Sequence, residues 1–217
     1  MQPLSPSQRE TMELAVATYQ GDVTTEAVRY LLGRGITEET ADTFRLGSVG
    51  NPVPGHERFR GMLAIPYLNR DGEPLSLRFR CIEDHNHRDY YHGKYMSITD
   101  EPSRTFNVGA IHKATSEVHV CEGEFDAIIL NQIGLPAIAI PGVQAWSGHH
   151  RRMLAGFSRT WLWADPDEAG ADFTNKVTRS LRSAKSVRLK HGDVSDTFKK
   201  LGAQAIYNLI EREVRSA

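Results

Sequence analysis

Three groups of acidic residues are the part of this sequence best suited to chemistry. Each group directly follows a short apolar run, "VHVC", "TWLWA" or "SVRLK". The groups are Glu122 with Asp126, Asp165 with Asp167, and Asp193 with Asp196. Like charges repel in a partly buried cleft, and divalent cations such as Mg²⁺ relieve that repulsion because they prefer hard oxygen ligands. Such ions also bridge to substrate phosphates and support phosphoryl transfer.

The elements that must position these acids alternate between strand and helix patterns. From Glu117 onward, four short apolar runs alternate with amphipathic segments, which predicts an α/β unit with a mostly parallel, four-stranded sheet. In such sheets, function collects at the carboxyl ends of the strands. We therefore expect all three acidic groups at one edge. Pro166 fixes its own φ and biases Asp165 toward an extended conformation, which directs Asp165 and Asp167 to that edge.

A simpler role is open to part of this segment. Asp167 or Glu168 could begin the following helix, because acidic residues are favoured at helix N-termini. We assign Glu168 to the helix, and Asp165 and Asp167 to the proposed metal site. We expect Gly123 to let the backbone approach closely behind Glu122.

The N-terminal half has a different pattern. The pattern of its first ~45 residues predicts small helices, with Ser5 and Thr37 as N-caps. The segments "GMLAIPYL", "PLSLRFRCI" and "YYHGKYM" then read as short strands, and "NRDG" between the first two predicts a hairpin turn. The whole chain is therefore predicted to be α/β (α+β overall), with a helical and hairpin-rich module before the α/β unit.

The strand "LSLRFR" carries two arginines. Its alternation places Leu75, Leu77 and Phe79 on one face, and Ser76, Arg78 and Arg80 on the other. Two guanidinium groups side by side on a rigid strand are either simply solvated or form a phosphate clamp.

Composition gives little indication of a polyanionic partner. The 217 residues include 26 basic and 27 acidic side chains, for a net charge of −1, so a nucleic-acid-binding protein would need to segregate its charges. Residues 173–190 contain no acid and six basic residues. We interpret this segment as a solvated helix face, with a nucleic-acid contact as the alternative.

The sequence carries no sign of export. No apolar run is long enough to span a membrane, and the N-terminus lacks a secretion-signal pattern. Two cysteines are too few for a disulfide framework. We expect a cytoplasmic protein with reduced thiols, in the host cytoplasm if it is encoded by a phage.

The segments "CEGEFDAIIL", "ADPDEAG" and "HGDVSD" resemble the three acidic motifs of the TOPRIM domain, in the family's order. They are most similar to the branch found in bacterial replicative primases and phage primase–helicases. The upstream segments "YLLGRGITEETADTFRLGSVG", "RFRGMLAIPYLNRDGEPLSLRFRCI", "HGKYMSI" and "RTFNVGAI" also resemble parts of that branch.

The resemblance implies specific roles for the acids. Glu122 corresponds to a metal ligand or general base, and Asp165 and Asp167 correspond to metal ligands. Asp126, Asp193 and Asp196 correspond to further or supporting acids, and the resemblance does not separate Asp193 from Asp196. The implied cofactors are two or more Mg²⁺ or Mn²⁺ ions.

The resemblance also implies nucleic-acid and nucleotide contacts. Arg60, Arg80 and Lys94 match basic positions of the family, as does Lys113 more loosely. From the strand pattern, Arg78 joins this set. The Asn-Ser that follows the matching Lys-Tyr pair in the family is replaced here by Met96 and Ser97. The implied partners are a single-stranded DNA template, ribonucleoside triphosphates and a replicative helicase or separate zinc-binding subunit, without a membrane.

We predict no structural zinc. The cysteine set of the family's zinc-binding domain is not found in this sequence, and Cys81 with His85, His87 and His92 has poor spacing for a site. The resulting hypothesis is a primase catalytic core with three parts: a primase module over residues 1–112, a TOPRIM unit over 113–202 and a C-terminal helix over 203–217. A TOPRIM nuclease and a non-catalytic DNA-binding accessory subunit are the alternatives.

Overall fold

The computed structural model describes residues 3–98, 104–142, 145–190 and 192–215. The chain divides into two compact units, Met1–Arg104 and Thr105–Ala217. The division falls eight residues before the boundary that the sequence suggested, so the short helix α4 (Gly109–Lys113) belongs to the second unit.

The first unit begins with three helices, α1 (Pro6–Gly21), α2 (Thr25–Gly33) and α3 (Glu38–Thr43). Each begins at a predicted type of cap. Ser5 Oγ accepts a hydrogen bond from Gln8 N–H, and the Gln8 side chain accepts one from Ser5 N–H, which completes a capping box. Thr24 and Thr37 cap the next two helices through their hydroxyl oxygens.

An antiparallel sheet completes the first unit. Its strands are β1 (Gly47–Ser48), β2 (Leu63–Leu68), β3 (Pro74–Arg80) and β4 (Tyr95–Ser97), in that order. The predicted "NRDG" turn joins β2 to β3, where Asn69 Oδ1 accepts hydrogen bonds from the backbone N–H groups of Asp71 and Glu73. That side chain therefore fixes the turn that sets the hairpin register.

Residues on both faces of β3 are buried, so simple solvation, one of the two interpretations of its arginine face, does not hold for Arg80. Leu77 and Phe79 are buried, but Ser76 and Arg80 are also only 5% and 4% exposed. Arg80 donates a hydrogen bond from Nε to the Tyr30 hydroxyl of α2, and its guanidinium lies 4.6 Å from the centre of the Tyr95 ring on β4. Strand alternation assigns residues to a face, but it cannot tell that a helix covers the polar face.

The second unit is the predicted α/β unit. Its strands are β5 (Glu117–Cys121), β6 (Ala137–Ala139), β7 (Arg159–Trp163) and β8 (Ala184–Ser186), which form a parallel sheet in the order β6-β5-β7-β8. The helices are α5 (Glu124–Gln132), α6 (Gly148–Leu154), α7 (Glu168–Ser180) and α8 (Val194–Arg215). Val120, Ile138 and Leu162 from the strands pack with Phe173 and Val177 of α7 in one core.

Two elements differ from the prediction in extent. The last strand ends at Ser186, so most of "SVRLK" follows β8 instead of forming it. The C-terminal helix α8 begins at Val194 and is interrupted at Gly202, whose φ of 74° is not helical. Ser216 and Ala217, the end of the predicted helix, lie outside the described residues. Among the helices that the structure describes, none is both long enough and apolar enough to cross a membrane.

Candidate active site

The first two acidic groups meet at one edge of the parallel sheet, as predicted. Strands β5 and β7 are neighbours, and their last residues, Cys121 and Trp163, are paired. Glu122 directly follows β5, and Asp165 lies two residues beyond β7. Since the strands are parallel, both side chains leave the sheet at its carboxyl edge.

A hydrogen bond joins the two strand ends. The Glu122 carboxylate oxygen Oε1 accepts a hydrogen bond from the backbone N–H of Asp165, with an N···O distance of 3.2 Å. Burial raises the pKa of Glu122, and the charges of Asp165 and Asp167 raise it further. Burial also raises the pKa of Asp165, with added repulsion from Asp193, Asp167 and Asp196. Without a positive charge nearby, burial and mutual repulsion therefore destabilise the ionised forms of Glu122 and Asp165.

Gly170, which sequence reasoning did not single out, makes this close approach possible. A methyl group at this position would lie 2.1 Å from the Asp165 carbonyl oxygen and 2.9 Å from Glu122 Oε1. Any side chain at this position would therefore displace the Asp165 backbone or the Glu122 carboxylate. The signal was present in "ADPDEAG", where a glycine in the first turn of a helix runs against helix propensity.

Asp167 has a structural role besides its candidate role as a ligand. It is the N-cap of α7, and its Oδ1 accepts a hydrogen bond from the Gly170 N–H at 2.8 Å. Glu168 lies in the first turn of α7 and is exposed, which agrees with its assignment to the helix.

The expected close approach at Gly123 is not observed. Its φ of −104° suits any residue, and a methyl group there would meet only Asp126 Oδ2, at the ordinary contact distance of 3.4 Å.

The third acidic group, Asp193 with Asp196, lies near enough to the first two groups to raise the pKa of Asp165. Asp193 Oδ1 accepts a hydrogen bond from the Asp196 N–H at 2.7 Å, which caps the start of α8. Asp126, on α5, accepts hydrogen bonds from both the N–H and the hydroxyl of Ser195, each at 3.0 Å. Asp193 raises the pKa of Asp165 more strongly than Asp196 does. Asp193 is thus the acid of this pair that is electrostatically closer to the first two groups.

Asp126 is the most perturbed acid of the set. It is 6% exposed, and burial raises its pKa to about 7, with a further contribution from Asp193 that the Ser195 hydrogen bonds partly offset. The folded protein therefore retains a proton that the unfolded chain loses near its ordinary pKa of 3.8. The folded state loses stability, relative to a neutral residue at this position, as pH rises from about 4 to about 7.

We expect Asp126→Asn to raise the free energy of unfolding of the metal-free protein, because asparagine keeps the acceptor for Ser195 and removes the buried charge. Each unit of pKa shift corresponds to about 1.4 kcal/mol, so the gain is on the order of a few kcal/mol at pH 8 and smaller at pH 5. Urea unfolding with a chelator at the two pH values measures it. Asp172→Asn, on the exposed side of α7, is the matched control. Equal gains at both pH values would contradict this assignment.

The residues present fit a divalent cation. Carboxylates from three connections meet at one edge, and burial together with neighbouring acids raises the pKa values of Glu122, Asp126 and Asp165. A positive ion removes that penalty, and carboxylate oxygens are the ligands that Mg²⁺ and Mn²⁺ prefer. The chemistry of this donor set therefore suits a divalent cation.

The basic candidates lie in different settings. Arg60 is exposed and donates to the Gly50 carbonyl oxygen at 2.6 Å. Arg78 lies 4.5 Å above the Tyr95 ring, so Arg78 and the buried Arg80 both pack on that ring. Lys94 is exposed just before β4, and Lys113 is exposed at the end of α4, in the second unit.

The basic segment after Phe173 is a surface feature. Its six basic side chains lie on α7, on β8 and in the connections that follow these elements, and all six are exposed: Lys176, Arg179, Arg182, Lys185, Arg188 and Lys190. This distribution agrees with the interpretation as a solvated face.

Comparisons with known proteins agree with these motifs. The Toprim-like family matches residues 119–197. The chain is 30% identical to the Gene 57 protein of Mycobacterium phage D29 over 157 residues, which cover 70% of this chain and 99% of that protein. It is 24% identical to a DNA primase of Myxococcus xanthus, over 95% of this chain and 42% of that protein.

The fold also has solved counterparts. The RNA polymerase domain of the Mycobacterium tuberculosis primase, crystallised with a double-stranded DNA oligomer that has a 6-nucleotide overhang, matches with a TM-score of 0.77 and 20% identity. The match covers 96% of this chain and 81% of that chain. At this level of identity the match establishes the fold. The chain spans about two fifths of the length of the bacterial primases it matches.

Proposed function

Because the chain belongs to the family of bacterial- and phage-type DNA primase catalytic cores with a TOPRIM domain, we propose that it synthesises short RNA primers on single-stranded DNA by nucleotidyl transfer. The observation that carries this proposal is the meeting of Glu122 and Asp165 at the carboxyl edge of the parallel sheet, joined by a hydrogen bond and surrounded by further acids. That arrangement suits chemistry on phosphates, which carry negative charge.

TOPRIM domains generally bind divalent cations, and we propose Mg²⁺ or Mn²⁺ for this chain. Glu122, Asp165 and Asp167 are the proposed ligands, with Asp126, Asp193 and Asp196 as further or supporting acids. When bound by these carboxylates, divalent cations would lower the pKa of the attacking 3′-hydroxyl and offset the negative charge of the leaving pyrophosphate. The protein's part is to hold Glu122 and Asp165 in position through their mutual hydrogen bond and the close packing of Gly170.

We propose that basic residues bind the phosphates of the template and of the incoming ribonucleotide. Arg78 and Lys94 are the main candidates in the first unit, with Arg60 in support and Lys113 in the second unit. Arg80 is better suited to a supporting role, because it is buried against Tyr30 and Tyr95. Such contacts weaken with salt, since counterions are released on binding. A replicative helicase or a separate zinc-binding subunit is the further partner proposed.

We expect Arg78→Gln to weaken binding of single-stranded DNA and to lower the slope of log affinity against log salt by about 1. The physical reason is the loss of one phosphate contact. Fluorescence anisotropy of a labelled oligonucleotide over a salt series measures both quantities. Arg70→Gln is the matched control, because Arg70 lies in the β2–β3 turn and pairs with Asp71. An unchanged slope in Arg78→Gln would remove Arg78 from the proposed contacts.

An extension assay separates the proposal from its rivals. The chain is incubated with labelled single-stranded DNA, labelled ribonucleotides and Mg²⁺ or Mn²⁺, with and without a candidate helicase. The proposal predicts template-dependent RNA products and intact DNA. DNA degradation without RNA synthesis, lost in Asp165→Asn, would replace it with a nuclease. If the chain binds DNA but makes no RNA and cleaves no DNA, the result would favour a non-catalytic accessory subunit.

A further inference from the structure

The connection between β3 and β4 brings together four potential metal ligands within a stretch of twelve residues. One ligand atom from each of Cys81, His85, His87 and His92 lies within 4.8 Å of all the others. Cys81 Sγ is 3.6 Å from His85 Nε2. The imidazole rings of His85, His87 and His92 have centres 4.8 to 5.3 Å apart. These distances suit side chains that converge on one point.

The second nitrogen atoms of two of these histidines are already engaged. His85 Nδ1 lies 3.2 Å from the Glu83 carboxylate, and His92 Nδ1 lies 3.1 Å from the Gly93 carbonyl oxygen. In both histidines this leaves the Nε2 atom available to bind a ligand at the centre of the cluster. A carboxylate or backbone carbonyl on the outer nitrogen is the usual orienting contact of a metal-binding histidine.

His87 adds an independent observation. Its Nδ1 is buried and has no hydrogen-bond partner among the residues that the structure describes. A buried polar atom without a partner costs free energy. A ligand at the centre of the cluster would satisfy it.

The loop itself has little else to hold it. Between Cys81 and Lys94 only Cys81 is buried, and Tyr91 is 98% exposed with a left-handed φ of 55°. A backbone hydrogen bond from Cys81 N–H to the Lys94 carbonyl closes the loop at its base. Metal binding is one of the interactions that can order a segment with so few buried side chains.

We propose that Cys81, His85, His87 and His92 form a structural zinc site that fixes the β3–β4 loop. One thiolate and three imidazoles are the ligand types that Zn²⁺ takes in a closed, four-coordinate site, and the sulfur and nitrogen atoms exclude Mg²⁺. Binding displaces the thiol proton of Cys81 and takes neutral imidazoles. This reverses our sequence-based expectation, because the spacing gave no sign that the four side chains converge.

The site would also order part of the proposed template-binding surface. Lys94 follows the loop directly, and Tyr95, on which Arg78 and Arg80 pack, is the next residue. The proposal does not depend on primase activity, and its test is made on metal binding alone.

The test is metal binding by the full chain with Mg²⁺ in excess, which saturates the carboxylate edge. We expect one zinc ion per chain by elemental analysis. Co²⁺ added to the metal-free protein is expected to give the visible bands of a tetrahedral ion and a thiolate-to-cobalt charge-transfer band in the near ultraviolet. Zn²⁺ is expected to displace the Co²⁺ and to raise the midpoint of thermal unfolding.

Two variants locate the site. Cys81→Ser is expected to lose the charge-transfer band although Cys121 is retained, and His92→Gln is expected to keep that band with weakened binding. Each variant should bind Zn²⁺ at least about 100-fold more weakly. Loss of a residue that only orients a ligand already lowers metal affinity by up to about 100-fold, and loss of a ligand should cost at least as much. If one variant does not fold, the other still tests the site. His112→Gln, exposed on α4, and Asp165→Asn should bind Zn²⁺ like the wild type. A wild-type chain that binds neither ion, or a Cys81→Ser chain that keeps the band, would overturn the proposal.

Discussion

Replacement of Glu122 by glutamine is expected to lower primer synthesis by more than about 100-fold, beyond the usual loss from changing an outer-shell partner of a metal ligand. Glutamine has the same size, and its Oε1 can still accept the hydrogen bond from Asp165 N–H that Glu122 accepts at 3.2 Å. The change therefore removes the charge and leaves the local packing. Single-turnover extension of a primed template, measured with saturating Mg²⁺, gives the rate.

Unfolding measurements make this prediction specific. Burial and neighbouring acids raise the pKa of Glu122, so the metal-free variant should be at least as stable as the wild type at neutral pH. Glu168→Gln is the matched control, because Glu168 is three residues beyond Asp165 but exposed in the first turn of α7. It should keep full activity and lose at most about 1 kcal/mol of helix stabilisation. Equal activity in the Glu122→Gln and Glu168→Gln proteins would contradict the assignment.

Gly170→Ala is expected to reduce both stability and activity. Helix propensity alone predicts a gain of roughly 1 kcal/mol from this change. The added methyl group would lie 2.1 Å from the Asp165 carbonyl oxygen and 2.9 Å from Glu122 Oε1, and overpacking of this kind typically costs about 1–3 kcal/mol. The steric cost should exceed the gain in propensity, and the displaced acids should lower the rate as strongly as Glu122→Gln does.

Gly156→Ala is the control for this prediction. A methyl group at position 156, after α6, would meet no atom within 4 Å, so stability should stay within about 0.5 kcal/mol of the wild type. Denaturant unfolding and the extension assay measure both variants. A Gly170→Ala protein that is more stable than the wild type and fully active would show that propensity, not the close approach, governs this position.

Much of the fold and of the carboxylate edge could be predicted because their signals are local. Glu122 and Asp165 follow apolar strands, and neighbouring parallel strands bring their ends together without further information. The caps at Ser5 and Thr37 are similarly set by residues within one helical turn. Local hydrogen bonds and sheet topology are enough to determine both features.

The features that escaped prediction depend on the three-dimensional path of the chain, which local sequence patterns do not describe. Arg80 is buried because Tyr30 of α2, 50 positions earlier, covers it. The Cys81 cluster converges because a short 3₁₀ turn and the left-handed Tyr91 fold the loop back, and spacing rules for zinc sites do not describe that path. Gly170 is required by the carbonyl of Asp165, which only the three-dimensional structure places beneath it.

The central claim, nucleotidyl transfer at the carboxylate edge, is tested most directly by the origin of the 5′ end of the product. The chain is incubated with unlabelled single-stranded DNA, Mg²⁺ or Mn²⁺, and ribonucleotides that carry label on the γ-phosphate of ATP or GTP. Only a chain begun de novo keeps that label. We predict labelled oligoribonucleotides that depend on the DNA, are made by the wild type and Glu168→Gln, and are absent with Glu122→Gln. Labelled products of equal yield from Glu122→Gln, or DNA cleavage in place of any labelled RNA, would contradict the claim.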